Sequence, residues 1–147
     1  LRSGLPKMKF ADVQSALSEK LTARAALAAL GRPVILSLFT DDATAKTAIN
    51  AALSAKGVVF GIGFVSGSRS EASAGRWTDP RASLDVLVEE SVTVSHSPSS
   101  LALVDEVIAA ATHRDGYDFD FVSLDSMIAE SGNVLHVISF SCELCLP

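Results

Sequence analysis

Residues 84–94, Leu-Asp-Val-Leu-Val-Glu-Glu-Ser-Val-Thr-Val, alternate in polarity more regularly than any other part of this chain. Leu84, Val86, Val88, Val92 and Val94 are apolar, while Asp85, Glu89, Ser91 and Thr93 are polar and Leu87 is the exception. A period of two belongs to a strand with one face on a core and the other in water. Glu90 interrupts the apolar row near the middle of that strand. A strand this long crosses a whole sheet, and the turn residues after it lead into a helix. The other elements are therefore read as packing around it.

Upstream, Phe10, Val13, Leu17 and Leu21 recur at helical steps, which predicts one helix over residues 10–30. Gly31 and Pro33 stop it, because glycine accepts a left-handed cap and proline cannot continue the helix. Residues 34–39 are almost all apolar, as expected of a strand covered on both faces. Asp41 and Asp42 suit the start of the next helix, where carboxylates meet unpaired amides. Ala45, Ala48, Ile49, Ala52 and Leu53 give that helix a small-residue face. Residues 58–65 form a second strand with Val58, Phe60, Ile62 and Phe64 on one face. Gly61 and Gly63 pare down the other, as close approach of another backbone or a helix requires.

Residues 66–82 carry Ser, Gly, Arg69, Arg76, Trp77, Pro80 and Arg81, and are expected to be the least structured part. After a turn at residues 96–100, Leu101, Val104, Ile108 and Ala111 mark another helix. A strand begins at Tyr117, with Met127 and Ile128 extending it. Ser131-Gly132-Asn133 signals a hairpin into a last strand over residues 134–144. The expected fold class is α+β: a mixed sheet of about five strands with an N-terminal helix and two further helices packed on it, in the order α-β-α-β-β-α-β-β. Strand-helix-strand over residues 34–65 predicts a parallel crossover, and the final pair an antiparallel hairpin. Met8-Lys9-Phe10 reads as a natural start. Residues 1–7 are thus expected to be disordered or foreign to the native product, and residues 8–147 to form a single domain.

With 147 residues, 48% of them hydrophobic, the chain has enough apolar surface to build a core. Its net charge of −5 argues against a binder of duplex DNA or anionic membrane, since phosphate contact needs clustered Lys and Arg. No apolar run approaches the ~20 residues of a membrane-spanning helix. Two cysteines imply no disulfide framework.

No motif for chemistry emerges. Gly61-Ile62-Gly63 with Gly67 follows a strand, but the dinucleotide fingerprint needs a helix opening there. Cys142 and Cys145 have CxxC spacing, yet on a strand they point to opposite faces, and zinc would need two more ligands. Cys142 reads as a small core residue. Glu90 reads as a group at a sheet end or a subunit contact, and His136 as a satisfied core or interface histidine. No catalytic residue, cofactor or metal ligand is expected. Arg69, Arg76, Arg81 and Trp77, on one long segment, have the composition of an interface hot spot, and Glu90 joins them as an interface candidate.

With its elements in this order, the chain resembles the tail terminators, small tail-completion proteins of tailed bacteriophages and prophages. The similar points are the opening helix from Met8-Lys9-Phe10-Ala11-Asp12-Val13, the strand Val86-Leu87-Val88-Glu89-Glu90-Ser91-Val92, the polar turn, the helix after it and the closing hairpin. The resemblance implies a homo-oligomeric, hexameric ring that caps the tail tube and joins it to head-neck proteins. It also implies a structural, non-enzymatic role without cofactors in the virion tail, made in the bacterial cytoplasm. The alternative is a ferredoxin-like ligand-binding or regulatory module, since residues 34–125 read β-α-β-β-α-β.

Overall fold

The computed structural model describes residues 8–35, 42–69, 71–73, 75–77, 80–94, 99–114 and 118–144. A 3-10 turn at Phe10–Asp12 leads into helix α1 (Val13–Thr22) and the short α2 (Ala25–Ala28). Strand β1 (Val34–Ile35), helix α3 (Asp42–Lys56) and strand β2 (Val58–Ile62) follow. Next come β3 (Ser66–Ser68), β4 (Glu71–Ser73), β5 (Arg76–Trp77) and the long β6 (Arg81–Glu90). Helix α4 (Ser100–Thr112) and strands β7 (Phe119–Ile128) and β8 (Val134–Glu143) complete an α+β fold. The main sheet runs β1-β2-β6-β8-β7, β3 pairs the start of β6, and β4 and β5 form a separate hairpin. β1 is parallel to β2, and β6 is antiparallel to both β2 and β8.

Register sorts the residues onto two faces. Val86 stands opposite Ile62 and Ile138, and Leu84 opposite Phe140. This face is buried under α1, α2 and α4, which contribute Val13, Leu17, Leu21, Leu27, Leu103, Val104 and Val107. On the other face, α3 covers only the β1–β2 side. There Ile49 shares a cavity of about 120 Å³ with Val34, Val59, Gly61, Leu87 and Leu135. Gly61 is required because a Cβ would lie 2.8 Å from the Val34 carbonyl oxygen. The pared strand face therefore admits a backbone, as its two glycines imply.

The expected single helix over residues 10–30 is broken. Thr22 Oγ1 donates to the Ser18 carbonyl, and Arg24 takes an extended conformation. The break turns Leu27 into the core. Phe10 leaves the helical stripe and lies over β3, where a side chain on Gly67 would collide with its ring. Residues 66–82 are more regular than expected, holding β3, the β4–β5 hairpin turned at Gly75, and the start of β6. β6 stops at Glu90 instead of reaching Val94. Ser91 Oγ accepts from the amides of Thr93 and Val94, forming a local turn that competes with the ladder. Val92 is left exposed, as is Phe64 beyond the end of β2.

The buried stripe of α4 is Leu103, Val104, Val107, Ala110 and Ala111, and Leu101 faces outward. Ser99 caps this helix by accepting from the Ala102 amide. Glu90 is the last residue of β6 and not a mid-strand group. β1 lies directly beside β2, so the inserted strand of a split ferredoxin-like unit is missing between them. Residues 1–7, 36–41 and Cys145 lie outside the described residues, and with them the expectations for the N-terminus, the rest of the first strand and the CxxC pair.

Candidate functional site

Among the described residues β7 is a free edge of the main sheet, paired on one side only, with β8. An open ladder of this length is a template for another strand. Its side chains are also underburied. Register with β8 puts Phe119, Phe121, Leu124, Ser126 and Ile128 on the helix-covered face. Phe119 is buried and Phe121 meets Phe140 edge to face, with ring centres 6.3 Å apart. Beyond them the helix layer runs out, leaving Leu124 38% and Ile128 70% exposed. On the other face Met127 is 47% exposed. A break in register between Phe121 and Ser123 leaves Val122 without a partner in the ladder. Bulges of this kind interrupt edge pairing locally, so the regular stretch available to another strand begins at Ser123.

A hydrogen-bonded chain anchors this edge from behind. Ser100, in the first turn of α4, donates to the Glu90 carboxylate. The same Oγ lies 2.9 Å from His136 Nε2, and Ser126 Oγ lies 2.7 Å from His136 Nδ1. The chain thus joins β6, α4, β8 and β7. Ser100 and His136 are each only 3% exposed. Because the one hydroxyl proton of Ser100 goes to Glu90, its contact with the imidazole must use an Nε2–H. In the neutral ring, Nδ1 then accepts from Ser126. A Ser–His pair resembles half of a nucleophilic dyad, but a base needs its lone pair toward the serine, and here the proton stands there. The carboxylate, moreover, binds the serine and not the histidine. The arrangement suits a clamp better than a nucleophile.

The candidate residues named from sequence do not form one cluster. Arg69 is exposed after β3, and Arg76 and Trp77 lie on the β4–β5 hairpin. Arg81 is turned inward to the sheet, 2.8 Å from Asp120 of β7 and 3.0 Å from Ser141 of β8. Arg114 adds a second contact to Asp120 at 3.3 Å. Glu90 is at the opposite end of β6 from Arg81, about 30 Å away at ~3.3 Å per residue. Sequence reasoning did not pick out Ser100 and Ser126. Both sit among many serines, and only the pairing of β7 with β8 brings one of them to the imidazole.

Cys142 is buried between Ala82 and Phe119 in the ladder. Burial pushes its thiol up to about 11, against a smaller opposing effect of Arg81. For an acid raised in the folded state, the protonated form favours folding. That contribution is complete below the unfolded value of 9.0 and is lost as pH rises toward about 11. At ~1.4 kcal/mol per pH unit, about 2–3 kcal/mol of stability disappears across this window. Urea unfolding at several alkaline pH values checks this, and Cys142→Ala should flatten the slope there.

Among the described residues no group of three His, Cys, Asp or Glu side chains could hold a metal ion, and no helix is long and apolar enough to cross a membrane. No family model and no curated protein matches the chain. A solved structure from Akkermansia muciniphila, of a protein without its transmembrane region, is similar at 14% identity and a TM-score of 0.34. The match covers 99% of this chain and 91% of that one. A likeness this slight carries no argument, so the reading of function rests on the surface and the sequence.

Proposed function

We propose that this chain is a structural subunit that assembles with copies of itself through β7. Following its resemblance to tail terminators, we propose further that the assembly is a ring capping a phage or prophage tail tube at its junction with the head. The observation that carries the reading is the free edge β7, which exposes Leu124, Met127 and Ile128 beside an open ladder. Exposed apolar side chains beside an unpaired strand edge mark a contact site. A ring needs two different complementary surfaces on each subunit. The β4–β5 hairpin, which stands apart from the main sheet and carries Arg76 and Trp77, suits the second contact. Arg69 nearby adds positive charge for a neighbouring subunit or the tube.

The test is mass in solution by light scattering across concentration. The expected result is a closed species of about six subunits, as a cyclic assembly requires. A chain that remains monomeric at every concentration overturns self-assembly through β7.

A further inference from the structure

We infer that, at concentrations too low for the ring to close, β7 pairs antiparallel with β7 of a second copy about a two-fold axis through Ser126. This rests on the reading of β7 as the contact edge and goes past the ring, which would need to open the pair.

Three features select the occupant and its register. Among the described residues β7 is the one long free edge of the main sheet, because the other edge, β1, has two residues. The free edge that matches it in length and spacing is therefore another β7. The irregularity between Phe121 and Ser123 confines regular pairing to residues 123–128. Within that window a two-fold axis normal to the sheet must pass through a residue, because facing side chains share a face. Centring on Asp125 would set two carboxylates against each other. Centring on Met127 would place Leu124 against Glu130. Centring on Ser126 sets Leu124 against Ile128 of the second copy, and Asp125 against its Met127.

The chosen register also suits the middle of the contact. Ser126 is small, and its hydroxyl is already held by His136, so the two serines meet at the axis without an unmet donor. The seam lies on the helix-covered face, at the point where the helix layer of each copy runs out. The apolar residues left underburied in the single chain are the ones the pair would cover.

Two experiments on the full chain test the pairing. In a Cys145→Ser background, Ser126→Cys should yield a covalent dimer on mild oxidation. Cys142 is buried and does not compete. Ser131→Cys, exposed in the turn but far from the axis, should yield at least tenfold less. Met127→Lys should tighten the dimer roughly twofold to thirtyfold in sedimentation equilibrium, since each new ammonium faces Asp125 of the other copy, and the contact occurs twice. Met127→Asp should loosen it by a similar factor. The inference is overturned if Ser126→Cys yields no more covalent dimer than Ser131→Cys, or if Met127→Lys weakens association. A ring that forms while both tests fail removes the two-fold pair and leaves the assembly reading standing. A covalent dimer with no ring keeps β7 as the contact edge and removes the ring.

Discussion

Lysines placed together at Leu124 and Ile128 lower self-association about a hundredfold while leaving folding stability within about 1 kcal/mol. The two effects separate because these side chains contribute little to the single chain's core. Ile128 is 70% exposed and Leu124 more than a third exposed. A lysine at either place keeps its stem on the sheet and its ammonium in water. Assembly is another matter. Covering a Leu or an Ile fully is worth about 1.5–3 kcal/mol, and a partial gain at each of two positions gives about 3 kcal/mol, or roughly two orders of magnitude. Light scattering on the variant, beside thermal unfolding, checks both halves. Equal loss of assembly and of folding would place the two residues in the core of the subunit instead.

Ser100→Val lowers stability by about 3 kcal/mol, although it adds apolar volume at a buried place. Its hydroxyl is the one link between Glu90 and the Nε2 of His136. Without it, a buried N–H and a partly buried carboxylate oxygen each lose a partner, at a cost of about 1–3 kcal/mol per group. Water cannot easily take the place of a side chain that is 3% exposed. His136→Leu is the informative contrast. Ser100 can still donate to Glu90, and Ser126 lies at the surface, where water can satisfy it. That variant should lose about 1–2 kcal/mol, less than Ser100→Val. Urea midpoints at constant slope give both values. Equal effects would mean that the imidazole, not the hydroxyl, is the centre of the clamp.

The two predictions meet on β7. Its regular half, from Ser123 to Ile128, is held to the domain by the ladder to β8 and by the Ser126–His136 bond behind it. The other half is held by Asp120, which takes Arg81 and Arg114. These ion pairs are substantially exposed and worth little individually. Their use is directional: they engage the arginine that sequence alone had offered to a partner. Arg81 therefore serves the edge from within the subunit, while Arg69 and Arg76 keep their standing as contact candidates on or near the hairpin.

Local pattern alone determined the α+β class, the parallel crossover into β2, the hairpin at Gly132 and the buried row Leu84, Val86 and Val88. Each follows from short-range periodicity or from a turn residue with a left-handed conformation, such as Gly31, Gly57 or Gly132. Periodicity also placed Cys142 in the core and recognised His136 as a satisfied group. It did not show where the pattern stops being used. Val92 continues the alternation of β6, yet a serine turn takes the chain off the sheet, because a side-chain hydroxyl that accepts from two amides competes with the ladder. Leu101 continues a helical stripe, yet the contact with α1 turns the next face inward. Above all, the alternation in β7 reads like that of any half-buried strand. Tertiary structure alone decided that this strand lies at the edge, past the reach of the helix layer, with Leu124, Met127 and Ile128 uncovered. Strand order depends on contacts between residues distant in the chain, and a local period of two is the same at the centre of a sheet and at its rim.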